Sequence, residues 1–296
     1  MRLVTRGDLD GVTSSVLLIT MEHIDSIELI HPQDITDDKF EIKENDIMAN
    51  LPYHPKATMW FDHHELTENN LKPPENFTGN HSIAPSVARI IYGYYDSEQL
   101  RRYEYLVSET DRFDSARLDM DDIIDPRRVI LLGFTIDSRS GLGGFREYFE
   151  KLVSWLKTMT IEEVLLQPAV RERIKILKEQ NANFLSILKK NSRKDGNVLI
   201  TDFRQLDKIP VGNRFLVYTL YPDTNVSVRI QWGPEKKFAA VTLGHNIFNR
   251  TSNAKCGQIC SRYGGGGHNG AGACPVNPED AERQISEIID LLKKAG

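Results

Sequence analysis

Through the first half of the chain, short apolar runs alternate with stretches in which apolar residues recur every three or four positions. Leu3-Val4-Thr5 reads as a buried strand, and residues 11–21 carry the spacing of the helix that follows it. The same alternation predicts strands over 26–30, 46–49 and 58–61, and helices over 86–94 and 97–108. Strands separated by helices imply an α/β fold built on a mostly parallel, doubly wound sheet covered on both faces. In such a sheet, ligands gather beyond the carboxyl ends of the strands, where loop backbones and helix N-termini converge. Asp8, Asp10, Asn50 and Asp62-His63-His64 each follow a predicted strand, which draws residues far apart in sequence toward one site.

From 161 to 190 the pattern is helical and strongly charged, with a break expected at Pro168. The part beyond the proline reads as a connector with a solvated charged face. A turn over 192–197 then opens a second unit, in which 198–201, 215–218 and 226–230 read as strands and 278–294 as a closing helix. The expected division is a domain over 1–160, a helical linker over 161–195 and a smaller α/β domain over 196–296.

Composition narrows the possibilities without choosing among them. A chain of 296 residues has room for two ordinary domains, and 40% hydrophobic with 27% charged residues is a globular balance. The formal net charge of −5 supplies no whole-chain basic field for long duplex nucleic acid, while a small anionic substrate held locally remains compatible. The first residues run straight into an acidic motif with no apolar segment of signal-peptide length, and the longest apolar stretch, 129–134, is too short to span a bilayer. A cytoplasmic location away from membranes is therefore expected. Cys256, Cys260 and Cys274 lack CxxC spacing, which argues against a disulfide framework. Buried structural thiols are the simpler reading, and a zinc site shared with His268 is the alternative.

Candidate chemistry lies in three places: Gly7-Asp8-Leu9-Asp10-Gly11, Trp60-Phe61-Asp62-His63-His64 and Gly264-Gly265-Gly266-Gly267-His268. Carboxylates and imidazoles at strand ends, with a glycine-rich loop able to approach an anion, describe a metal-dependent phosphate site. The ordered set, with an aspartate about fifty residues beyond the histidine pair, resembles the DHH phosphoesterase family with its DHHA1 C-terminal domain. That family takes in RecJ-like exonucleases, the nano-RNase and pAp phosphatase group, cyclic-di-AMP phosphodiesterases and, more distantly, exopolyphosphatases and family II pyrophosphatases. The resemblance covers nearly the whole chain.

It implies a phosphohydrolase in which two Mn²⁺ or Mg²⁺ ions activate a bridging water. By resemblance, Asp10, His63 and Asp111 match ligands of one metal and Asp8 a ligand of the other. His64 then faces the substrate phosphate, and Asp62 orients the histidine pair. Asp114 and Asp137 compete with Asp111, which is preferred for its distance from the histidine pair and the helical run before it. Two positions depart from the family pattern. Arg6 stands where relatives carry aspartate or histidine, and Asn50 replaces the usual bridging aspartate. Arginine has no free lone pair for a cation, and asparagine offers only a neutral carbonyl, so one ion is expected rather than two. The Arg6 guanidinium is expected to pair with Asp8 and supply a fixed positive charge where the second ion would otherwise sit, an interaction of about 4 kcal/mol at ~4 Å and an effective dielectric near ~20. His54 is either a replacement ligand or a loop histidine. The competing class is a nucleotide- or phosphate-binding regulatory protein with a diminished centre.

In the C-terminal motif, Gly265, Gly266 and Gly267 let backbone N–H groups approach an anion, and His268 adds a donor. Arg250 matches the family's substrate-contacting arginine, with a surface ion pair as its plainer role. The resemblance thus implies hydrolysis in an interdomain cleft that closes on a free end. Such a cleft favours pAp, a linear dinucleotide or short single-stranded RNA, and nothing in the sequence selects among nucleotide, polyphosphate and pyrophosphate.

Overall fold

The computed structural model describes residues 1–66, 71–140 and 142–296. Over these residues the chain divides into two compact units, Met1–Arg117 with Pro126–Leu177, and Leu118–Asp125 with Lys178–Gly296. In the first unit β1 (Arg2–Thr5) leads into α1 (Leu9–Met21), followed by β2 (Ser26–Leu29), the short α2 (Pro32–Thr36), β3 (Asp46–Ala49), β4 (Met59–Asp62) and β5 (Gly79–His81). Next come α3 (Val87–Tyr95), a 3₁₀ segment Glu98–Tyr103 and α4 (Glu104–Asp114). Beyond α5 (Met120–Ile124), which belongs to the second unit, lie α6 (Arg128–Thr135), α7 (Phe145–Thr158), α8 (Ile161–Leu165) and α9 (Pro168–Asn191). The division between the units falls within α9.

Among the described residues, five strands pair in parallel in the order β2-β1-β3-β4-β5. The chain moves from β1 to one neighbour, β2, and returns to its other neighbour, β3. Connections leaving β1 and β3 therefore diverge, and a crevice opens at the carboxyl ends of these two strands. Helix α1 follows β1 across the sheet and is buried from Leu9 through Leu18. A helix buried nearly all round belongs inside a core, and α1 packs against α3, α4 and α7. Full burial of side chains such as Val12, Val16 and Leu17 contributes about 1.5–3 kcal/mol each. A Cβ at Gly11 would overlap the Arg6 carbonyl oxygen, so the glycine of the acidic motif lets the first turn of α1 close onto the end of β1.

The second unit carries a six-stranded sheet in the order β10-β11-β9-β8-β7-β6, made of β6 (Ser192–Asp195), β7 (Val198–Asp202), β8 (Val226–Trp232), β9 (Ala239–His245), β10 (Gly266–His268) and β11 (Ala271–Val276). Strands β7 and β8 run parallel and the other pairs antiparallel. The remaining helices are α10 (Leu216–Leu220), α11 (Cys256–Ser261) and the closing α12 (Ala281–Lys294). Ile285, Ile288 and Leu292 on one side of α12 join Val198, Val228, Val241 and Leu243 from the sheet in a single core. Cys256, Cys260 and Cys274 are buried in that core as free thiols.

Several expectations are revised here. The strand read over 215–218 is the helix α10: Leu216, Val217 and Tyr218 are all buried, and a short apolar run does not distinguish strand from buried helix. The turn read over 192–197 contracts to Gly196-Asn197, because Ser192–Asp195 pairs with β7. Helix 97–108 splits into the 3₁₀ segment and α4, and so extends to Asp114. Strands β5, β9, β10 and β11 were not read from the pattern.

Candidate metal centre

The site is built from the ends of β1, β3 and β4 and the facing ends of α3 and α4. Asp8 caps α1, its Oδ1 accepting from the Gly11 amide at 2.8 Å. In the first turn of the helix, Asp10 is 1% exposed and accepts from the Val87 and Ala88 amides at the start of α3 at 2.8 Å each. These amides are among the unbonded donors of a helix's first turn, well placed to hold an anion. Burial, with the Asp114 and Asp8 carboxylates close by, pushes the Asp10 carboxyl up to about 8.

His63 follows β4. Its Nδ1 donates to the Ala84 carbonyl at 3.0 Å, which fixes the tautomer and leaves the Nε2 lone pair directed at Asp114 Oδ2, 3.4 Å away. Donor atoms of Asp10, His63 and Asp114 all lie within 4.8 Å of one another. With both carboxyls ionised, an imidazole lone pair and two carboxylates facing each other are all acceptors, and a divalent cation is a partner that suits all three. The fit is improved by the second layer, because Ala84 and the α3 amides hold His63 and Asp10 in orientation.

The sequence placed Asp111 in this group, and the structure puts Asp114 there instead. Both lie in the last turns of α4, three residues apart. Asp111 accepts from Ser86 Oγ at 2.6 Å and from Arg89 Nε at 2.8 Å, tying α4 to the N-terminal turn of α3. Arg89 also reaches Glu104 and Ser108, so Asp111 belongs to a network that spaces the two helices. The expectation for Asp62 also changes in detail. Its Oδ1 accepts from His64 Nδ1 at 2.8 Å, so Asp62 orients His64 alone while Ala84 orients His63. That hydrogen bond holds the His64 imidazolium above the ordinary histidine range, with burial opposing and Arg6 nearby pulling the other way.

At the end of β1, Arg6 Nε lies 3.2 Å from Asp8 Oδ2, which is the pairing expected from the sequence. Asn50, at the end of β3, adopts a left-handed backbone with φ 62°, a region asparagine tolerates. Its Nδ2 donates to Asp8 Oδ1 at 3.3 Å, and its Oδ1 is buried with no hydrogen-bond partner, as is Thr5 Oγ1. Asp137 pairs with Arg139, and His54 Nδ1 accepts from the Lys56 amide, so neither joins the cluster.

In the second unit, three of the four consecutive glycines have backbone reasons to be glycine. Gly264 and Gly267 have φ of +74° and +144°, and a Cβ at Gly265 would overlap the Ala273 carbonyl oxygen. Only Gly266, with open space where its Cβ would stand, has no steric requirement. Gly266 pairs with Ala273 and Gly267 with Gly272 in the β10–β11 hairpin, whose tip leaves His268 exposed. Arg250 is exposed, its Nε 3.4 Å from the Ile247 carbonyl.

No family model matches the sequence. A search of curated proteins also finds no match. Among solved structures, the pGpG-specific phosphodiesterase PggH from Vibrio cholerae is 33% identical over 100% of this chain and 99% of its own, with a TM-score of 0.86. The chain belongs to the DHH/DHHA1 family of phosphoesterases. Other DHH-type structures share the fold at lower identity. RecJ from Thermus thermophilus in complex with Mn²⁺ is 12% identical over 99% of this chain and 52% of its own, with a TM-score of 0.56. An exopolyphosphatase-related protein from Bacteroides fragilis is 12% identical over 99% of this chain and 92% of its own, with a TM-score of 0.54. As a DHH phosphoesterase the protein is a hydrolase, with the Asp10, His63 and Asp114 group as its candidate metal site. Among the described residues no helix is long and apolar enough to cross a membrane.

Proposed function

We propose that this phosphoesterase hydrolyses a linear dinucleotide of the pGpG kind, using a single Mn²⁺ or Mg²⁺ held by Asp10, His63 and Asp114. The observation that carries the reading is end-to-end similarity to a phosphodiesterase described as pGpG-specific, joined to a converging Asp, His and Asp donor set. A bound divalent cation supplies Lewis acidity at the phosphate and lowers the pKa of a coordinated water. His63 presents Nε2 because Ala84 holds its other nitrogen. Asp10 is kept in place by the amides of α3 and is ready to ionise against a cation. His64, whose protonated form Asp62 favours, donates a hydrogen bond to a phosphate oxygen as negative charge builds there. In the second unit, the glycine hairpin with His268 and the Arg250 guanidinium offer donors to an anionic substrate. The unit that carries them takes the role of the DHHA1 domain.

The test is product release from pGpG, pApA, pAp, short RNA, pyrophosphate and polyphosphate in Mn²⁺, with His63→Ala as control. Mononucleotide should form fastest from the dinucleotides and vanish in the control. Faster turnover of pyrophosphate or polyphosphate would refute the assignment.

A further inference from the structure

The oxygens of Asp8 are already taken. Oδ1 accepts from the Gly11 amide at 2.8 Å and from Asn50 Nδ2 at 3.3 Å, and Oδ2 lies 3.2 Å from Arg6 Nε. A carboxylate steadied by the Gly11 amide and Asn50 is well made to hold a guanidinium still. The Arg6 side chain is 36% exposed, open to a ligand. Asn50 reinforces the arrangement from β3, its backbone N–H bonded to the Phe61 carbonyl at 3.0 Å. Arg6 immediately follows β1, four residues before Asp10 of the Asp10, His63 and Asp114 group.

We infer that Arg6, held by Asp8 and Asn50, is a built-in cation that binds a phosphate oxygen of the substrate in place of a second metal ion, and that Asp8 is a positioning residue for Arg6. The inference rests on the phosphodiesterase reading for its substrate but not for its test. A guanidinium carries one fixed charge and two parallel donors, matched to a phosphate edge, and needs no supply from solution. Asn50 suits this role where aspartate would not. Its amide donates to Asp8, whereas a second carboxylate there would repel the first.

The experiment reads metal stoichiometry and phosphate affinity, neither of which requires turnover. Calorimetric titration of the full-length protein with Mn²⁺ should give one ion per chain. Titration of the Mn²⁺-loaded protein with inorganic phosphate should then show binding that weakens about ten- to hundredfold in Arg6→Gln, the range for losing a hydrogen-bonded charge. Asp8→Asn keeps a residue able to cap α1, so it should retain the single Mn²⁺ while losing phosphate affinity along with Arg6→Gln. Two ions per chain in the wild type would overturn the inference. So would unchanged phosphate affinity in Arg6→Gln, absence of phosphate binding to the loaded wild type, or loss of Mn²⁺ from Asp8→Asn. Failure to hydrolyse pGpG would count against the proposed substrate and leave these readouts intact.

Discussion

Metal capture should be strongly pH-dependent because of Asp10. Its carboxyl is buried against Asp114 and Asp8 and titrates at about 8 without a cation, compared with 3.8 in its ordinary state. A cation needs the ionised form, so below about pH 8 each ion that binds must displace one proton from Asp10. Affinity should then rise about tenfold per pH unit well below pH 8, or about 1.4 kcal/mol, and by about fiftyfold between pH 6 and pH 8. The same shift acts on folding. Between pH 3.8 and about 8 the native apo protein holds a proton that the unfolded chain has released. The contribution of Asp10 to apo stability therefore falls as pH rises through that window. Mn²⁺ titrations at half-unit steps from pH 6 to 9, in two buffers of different ionisation enthalpy, give both the affinity and the protons released. About one proton per ion is expected at pH 6, and almost none at pH 9. An affinity that stays flat from pH 6 to pH 8, or proton release unchanged in Asp10→Asn, would refute the reasoning.

Other substitutions separate the roles of neighbouring residues. Asp114→Asn should lower Mn²⁺ affinity with little change in the urea midpoint, while Asp111→Asn should do the opposite by releasing Arg89 and Ser86; equal effects on metal binding would contradict the grouping. In Asp62→Asn the His64 imidazole loses the main cause of its raised pKa, so the alkaline limb of the kcat/KM profile should move to lower pH, and an unmoved limb would remove His64 as the protonated donor. Gly11→Ala should destabilise the fold by about 2 kcal/mol or more through its overlap with the Arg6 carbonyl, whereas Gly93→Ala, with open space around it in α3, should stabilise by about 0.5–1 kcal/mol in urea unfolding.

The first unit was legible because its chemistry follows its strands. Each of Asp8, Asp10, Asn50 and the Asp62-His63-His64 run comes at or just beyond a strand that the apolar pattern marks, and the parallel order gathers them. What the pattern could not carry was the side of a helix. Asp111 and Asp114 are a turn apart on α4, and only the position of Arg89 on α3 shows that Asp111 is the one tying the two helices together. The contributions of the Ala84 carbonyl and the α3 amides were equally hidden, since a backbone donor has no letter in the sequence, although Ser86 at the helix start was a usable sign. In the second unit the glycine run also has a local cause. Gly264, Gly265 and Gly267 serve the hairpin's own backbone, and β10 and β11 are too rich in glycine and alanine to show a strand period. Leu216, Val217 and Tyr218 failed for the usual reason that a buried helix turn and a buried strand share one composition.

The way Asp10 and His63 are held has a consequence for the identity of the ion. Both are clamped by backbone groups that exist whether or not an ion is present. Asp10 and His63 are thus in place on folding, and an arriving cation need only displace the Asp10 proton and shed part of its hydration. Exchange should then be quick compared with the lifetime of the fold, and three donors leave room for solvent to complete whichever coordination sphere arrives. The occupant would follow the free concentrations of Mn²⁺ and Mg²⁺ around the protein, so its rate would track the metal supply of its surroundings from one minute to the next.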